Sequence, residues 1–199
     1  MKKLGKFIAI YGINNLGKTL QAKMLEERLL AENFKVKRIK YPVYDLEPTG
    51  PRINAYLRKG NPDNLSAKAA QLIYVQNRKD FEPTLKAMLR ENDFVIAEDY
   101  KGTGIAWGMG AGVEKNFLLY HNGSLLEEDV SILLDGKRFR EGIESGHTHE
   151  SNDELTEKVR LAHLELADYF HWPIVNANDT KEAVHEKIYE HVMKKIKRL

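Results

Sequence analysis

Eight residues near the N-terminus restrict this chain more than any other feature. Gly12-Ile13-Asn14-Asn15-Leu16-Gly17-Lys18-Thr19 follows an apolar run, Phe7–Tyr11, and precedes a segment in which Leu20, Met24, Leu25 and Leu29 recur at helical spacing. A G-x-x-x-x-G-K-[ST] stretch between a strand and a helix reads as a phosphate-binding loop. Its glycines let successive backbone N–H groups curl around phosphate oxygens, and the helix beginning near Gly17 points its positive end at them. In that geometry Lys18 reaches the β- and γ-phosphates of ATP and the Thr19 hydroxyl binds Mg²⁺. The loop with its first helical residue, Gly12, Ile13, Asn14, Asn15, Leu16, Gly17, Lys18, Thr19 and Leu20, is therefore the expected ATP site.

The rest of the chain fits the architecture that such a loop demands. Short apolar runs at Phe7–Tyr11, Val36–Tyr41, Phe94–Ala97, Val130–Leu134 and Ile174–Val175 alternate with longer helical patterns, which predicts a parallel sheet covered by helices. One helix carries Leu155, Val159, Ala162 and Leu166, and a last one carries Val184, Ile188, Val192 and Ile196. With 199 residues and 42% hydrophobic content, one domain over 1–199 suffices. The 31 basic and 29 acidic residues nearly cancel, so no nucleic-acid partner is expected. No run approaches the ~18 apolar residues of a membrane span. The chain has no cysteine, which excludes disulfides and thiolate chemistry and is compatible with a cytoplasmic location.

Two further features carry chemistry. The run Phe94–Ala97 delivers Glu98 and Asp99 to a strand end, where a phosphate-loop enzyme needs a carboxylate to hold the metal directly or through water. The stretch Ser66–Leu89 reads as a helix with Ile73, Phe81, Leu85 and Met88 near one face and Tyr74 and Arg78 beside them, and an arginine on that flank wants an anionic partner. Two polar or glycine-rich stretches, Lys101–Gly112 and Gly136–Asn152, read as strand-end loops, with the second as a lid over about 136–152.

With these pieces in this order the chain resembles the thymidylate kinases over nearly its whole length. The resembling elements are the phosphate loop, Tyr41-Pro42 after the second strand and the pair Tyr74 and Arg78. They continue with Glu98-Asp99-Tyr100-Lys101-Gly102-Thr103-Gly104-Ile105-Ala106-Trp107, Asp135, the lid, the helix with Arg160 to Ala167, and Val175-Asn176-Ala177-Asn178. The resemblance implies an α/β P-loop NTPase fold with a central parallel sheet of about five strands, helices on both faces and a lid loop. It implies transfer of the ATP γ-phosphoryl to thymidine monophosphate in a homodimer. It assigns acceptor binding to Tyr41, Pro42, Tyr74, Arg78, Tyr100, Gly104 and Trp107, metal binding to Thr19 and Glu98, and catalysis to Lys18, Glu98 and the lid arginines. Tyr74 and Arg78, at i and i+4, project together, so a pyrimidine can stack on the ring while the guanidinium bonds its base or phosphate. A deoxynucleoside kinase and a nucleotide-binding protein without catalysis are the alternatives.

This chain also departs from the family pattern. Asn14 stands where the loop usually has an acidic residue, Asp99 replaces an arginine after the strand-end carboxylate, and Val43 and Tyr44 follow Tyr41-Pro42 without an arginine. Lys101, Arg52 and Lys40 are the candidate replacements. Because Asn14 and Asn15 are neutral, the cation for the migrating phosphoryl group is expected from Lys137, Arg138 and Arg140 in the lid. His147 and His149, at i and i+2 in the same loop, are read as polar loop residues rather than metal ligands.

Overall fold

The structure, a computed structural model, describes residues 4–139 and 152–196. Five strands, β1 (Lys6–Tyr11), β2 (Val36–Lys40), β3 (Phe94–Glu98), β4 (Val130–Asp135) and β5 (Ile174–Asn176), form one parallel sheet in the order β2-β3-β1-β4-β5. Each lies within one residue of its predicted bounds. The side-chain period of two splits the apolar residues of the central strands. Ile8, Ile10 and Ile96 belong to one core cluster, with Ala22, Leu25 and Leu29 of α1 (Lys18–Ala31) and Val184, Ile188 and Val192 of α7 (Lys181–Ile196). Phe7, Ala9, Val95 and Ala97 belong to another, with Leu85 and Leu89 of α3 (Ala67–Glu91). Both faces of the sheet are thereby covered, as buried parallel sheets require.

Strand order fixes where a ligand can enter. The chain leaves β1 toward β2 in one direction and leaves β3 toward β4 in the other, so the connections diverge between β1 and β3. In an open α/β sheet such a switch point opens a crevice beyond the carboxyl ends of the strands. The residues after β1 are the phosphate loop, and those at the end of β3 are Glu98 and Asp99.

The remaining helices are α2 (Thr49–Arg58), α4 (Lys101–Gly110), α5 (Lys115–Asn122) and α6 (Asp153–Phe170). Ser66 caps α3 by accepting from the Ala69 N–H at 3.2 Å, and Asn152 caps α6 by accepting from Leu155 at 2.9 Å.

The segment expected as a glycine-rich loop, Lys101–Gly112, is instead helical over most of its length. Its glycines serve packing. A Cβ on Gly102 would come within 2.5 Å of Trp172, one on Gly108 within 2.6 Å of Leu118, one on Gly110 within 2.5 Å of Val159, and one on Gly104 would collide with the Arg78 guanidinium. Each glycine costs a helix about 1 kcal/mol relative to alanine. Close approach to α3, α5 and α6 offsets that cost.

Candidate active site

The phosphate loop is built from backbone that only special residues tolerate. Gly12 has φ 140°, and a Cβ there would meet the Leu134 carbonyl oxygen at 2.6 Å. Gly17 has φ 81° at the N-cap of α1, and no side chain caps that helix, so its first-turn N–H groups are presented to the crevice. Lys18 is buried, and its Nζ donates to the carbonyls of Gly12 and Ile13, both at 2.8 Å, while lying 3.6 Å from Asp99 Oδ1. The Thr19 hydroxyl donates to Glu98 Oε2 at 2.6 Å. Glu98 is only 2% exposed, and Arg38 and Lys40 approach its oxygens at 3.4 and 3.5 Å.

In front of this loop lies a cavity of about 460 Å³. Asn14, Asn15, Gly17, Lys18, Thr19 and Leu20 line its donor end, and Tyr41, Pro42, Tyr74, Arg78, Glu98, Gly104 and Trp107 line the remainder. Gly12, Ile13 and Leu16 are not among its walls; Ile13 and Leu16 are core residues, 4% and 2% exposed. Tyr100 is a correction. Expected as an acceptor contact, it is fully buried and does not line the cavity, because its ring packs on Phe7 and Tyr41, each 5.0 Å away between centroids. Burial raises its hydroxyl's ionisation far above the usual phenol range.

Arg78 gives the cavity its electrostatic character. It is 4% exposed, its Nε has no hydrogen-bond partner, and Nη1 makes one long bond, 3.4 Å, to Asn122 Oδ1. Among the described residues no carboxylate pairs with it, and burial pushes its guanidinium ionisation down. A buried cation so weakly compensated calls for an anionic or strongly accepting ligand.

The cavity also has walls that the expected site omits: Lys40, Tyr44, Leu57, Arg58, Gln71, Asp99, Thr103 and Phe139. Among the candidate replacement cations, Lys40 is present. Lys101 is turned away, with its Nζ 2.6 Å from Glu127 and 3.2 Å from Glu128, and Arg52 is exposed and paired with Asp63 at 3.0 Å. Arg58 on α2 is the added cation; α2 is only ten residues long and opens on Thr49-Gly50-Pro51, which reads as a turn in sequence. Asp99 adopts φ 61°, and its carboxylate accepts from the Thr103 hydroxyl at 2.7 Å.

A second cavity, about 580 Å³, lies on the other side of the loop, lined by Ile13, Gly136, Lys137, Arg138, Asp153, Thr156, Glu157, Arg160 and Asn178. Asp135 holds Arg160 through two bonds, 2.7 and 2.8 Å. The Asn178 amide accepts from the Lys137 N–H and donates to the Lys137 carbonyl, both at 2.6 Å, which pins the start of the lid. Arg138 is ion-paired with Asp153, and the Phe139 N–H donates to the Asn15 carbonyl at 2.8 Å. Arg140, His147 and His149 lie outside the described residues. Among the described residues no three His, Cys, Asp or Glu side chains group as a metal site.

A third and larger cavity, about 820 Å³, is lined by the last turns of α5, α6 and α7 together with Glu127 to Ser131, the chain leading into β4. Lys101, Glu127 and Glu128 meet there, and the Tyr11 hydroxyl donates to Glu128.

Comparisons with known proteins agree with this geometry. The family model described as "Thymidylate kinase" matches residues 10–188. A Pyrococcus abyssi protein described as "Probable thymidylate kinase" is 30% identical over 92% of this chain and 94% of its own length. The Plasmodium falciparum "Thymidylate kinase" is 26% identical over 97% and 92%. The solved thymidylate kinase structure from Candida albicans superposes with a TM-score of 0.82 at 24% identity, covering 96% of this chain and 92% of that one, which establishes the P-loop NTPase fold. The chain belongs to the thymidylate kinase family, whose members are ATP-dependent phosphotransferases.

Proposed function

We propose that this protein transfers the γ-phosphoryl group of ATP to thymidine monophosphate, giving the diphosphate. The observation that carries the reading is Arg78, a buried and undercompensated cation beside Tyr74 in a cavity that opens directly onto the phosphate loop. The loop lies between two cavities. The donor nucleoside occupies the one beside Ile13, Arg138, Arg160 and Asn178, and the acceptor the one beside Tyr74 and Arg78. The migrating group then passes the loop between them, and catalysis is positioning plus charge neutralisation.

Lys18 leaves the Gly12 and Ile13 carbonyls to bind the β- and γ-phosphates, and the open first turn of α1 supplies N–H donors. Thr19 and Glu98, already in hydrogen-bond contact, fit Mg²⁺, which takes few protein oxygens and completes its shell with phosphate and water. When bound, that ion neutralises charge on the triphosphate. Lid cations, Arg138 among the described ones, approach the γ-phosphoryl as Arg138 exchanges Asp153 for phosphate. The protein acts as a homodimer in the cytoplasm. Among the described residues no helix is long and apolar enough to cross a membrane.

A second reading rests on Asp99. Two buried carboxylates stand at the end of β3, Glu98 beside Thr19 and Asp99 beside Lys18 where an arginine is usual, and a carboxylate is what a nucleoside kinase needs to deprotonate a 5′-hydroxyl. The ratio of kcat/KM for thymidine monophosphate and for thymidine separates the two, with the monophosphate expected to win. Preference for the nucleoside would replace the first reading with the second, and turnover of neither would make the protein a non-catalytic nucleotide binder.

A further inference from the structure

Gln71 is a buried glutamine of α3. It is 6% exposed, it lines the acceptor cavity, and its Oε1 is buried without a hydrogen-bond partner among the described residues. A buried amide carbonyl left without a donor is costly, and native structures retain such groups where something else supplies the bond. On α3, Gln71, Tyr74 and Arg78 stand at i, i+3 and i+7, one face of the helix. The ring expected to stack a base is therefore flanked along the helix by an unpartnered carbonyl on one side and an unpartnered Arg78 Nε–H on the other.

The room for Gln71 comes from α4. Gly108 lies against its stem, where a Cβ would come within 3.2 Å of Gln71 Cγ, while Gly104 faces the Arg78 guanidinium. Two turns of α4 thus lack side chains where two polar side chains of α3 approach the cavity. That arrangement packs the stem of Gln71 and leaves its amide, which no hydrogen bond holds among the described residues, to turn toward a ligand in the cavity.

We propose that Gln71 is a specificity-determining residue that reads the acceptor base, its carbonyl accepting the ring N3–H of thymine or uracil while Arg78 donates to the neighbouring carbonyl. Arginine has donors only, so it rejects an amino group at that position. Cytosine in the same pose presents an amino group to Arg78, a mismatch with a donor-only side chain, and a lone pair that Gln71 meets only by turning its amide away from the acceptor orientation, where thymine has two matches. The 5-methyl group is not read by either residue. This assignment rests on the proposed kinase reading for the acceptor's identity.

The test uses the full-length protein with thymidine monophosphate, deoxycytidine monophosphate and N3-methylthymidine monophosphate, each also as the free nucleoside. The wild type is expected to prefer the thymine acceptor over its N3-methyl analogue by 100-fold or more in kcat/KM, on the order expected when a site's buried polar group is left unpaired. Gln71→Met keeps the length and the packing against Gly108 but removes the amide. It is expected to raise KM for the thymine acceptor about tenfold and to lower the thymine-to-cytosine ratio by a similar factor, with KM for ATP and the melting temperature unchanged. An unchanged ratio in Gln71→Met, equal use of the N3-methyl analogue by the wild type, or an equal rise in KM for ATP would overturn the assignment. If only nucleosides are turned over, the monophosphate reading fails, yet the same comparisons among nucleosides still decide the role of Gln71.

Discussion

The acceptor cavity and the larger cavity lined by the ends of α5, α6 and α7 treat buried polar groups in opposite ways. In the larger one Lys101 is held by Glu127 and Glu128, the Tyr11 hydroxyl is satisfied by Glu128, and Asp129 accepts from Lys6 at 2.7 Å and from the Phe7 N–H at 2.8 Å. In the smaller one Arg78 Nε and Gln71 Oε1 have no partner among the described residues, and Lys18 rests on carbonyls of its own loop. Volume would choose the first cavity as the functional one. Incomplete hydrogen bonding chooses the second, because a folded chain satisfies the polar groups it uses for structure.

Three substitutions can break or sharpen that contrast. The largest effect is expected for Lys18→Ala, which should lower kcat on the order of 10³-fold while circular dichroism and melting stay near wild type. Near-normal turnover would remove the phosphate loop from the chemistry. Next comes Arg78→Ala, expected to lower kcat/KM for thymidine monophosphate about 100-fold and to change KM for ATP less than twofold. A rise in both Michaelis constants would mean that Arg78 holds the fold rather than the acceptor.

The smallest catalytic effect is expected for Lys101→Met, which should leave both Michaelis constants unchanged and instead cost about 3 kcal/mol of stability by stranding buried Glu128. Burial already raises the Glu128 carboxyl above the usual range. A carboxyl whose folded pKa is raised is penalised on ionising, so the loss should be small near pH 4 and grow as pH rises through that raised pKa. Denaturant midpoints at pH 5 and pH 8 measure this. A defect that shrinks at high pH, or a changed acceptor KM, would show that the two cavities are not separate in role.

How much of this was legible beforehand depends on which force sets each element. The three central strands were legible because a sheet buried on both faces needs apolar runs, and Gly12 to Thr19 was legible because phosphate binding leaves few choices of residue. Helix α4 was not, since Gly102, Gly104, Gly108 and Gly110 look locally like a loop and become helical only through tertiary packing. Helices α2 and α5 are short, ten and eight residues, and α2 opens on Thr49-Gly50-Pro51, which reads locally as a turn. Tyr74 and Arg78 were found through the family resemblance, their i, i+4 spacing agreeing with it, and both line the cavity. Gln71 was missed because a lone glutamine carries no motif, although the interval to Tyr74 and Arg78 would have placed it on their face. Tyr100 was misassigned because its neighbour Asp99 takes a left-handed turn after β3, and the next side chain goes into the core rather than the cleft.

The bare face of α4 has an entropic consequence. Where Gly104 faces the cavity, that part of the wall is main chain already fixed by its helix, with no rotamers left to freeze when an acceptor enters. Immobilising a long, rotamer-rich side chain on binding costs about 0.5–1.5 kcal/mol each. The side chains beside it are already confined, Arg78 and Gln71 of α3 and Trp107 of α4 by burial and Thr103 by its bond to Asp99. The acceptor thus meets a surface that has done most of its ordering during folding, so more of the contact energy remains for telling one base from another.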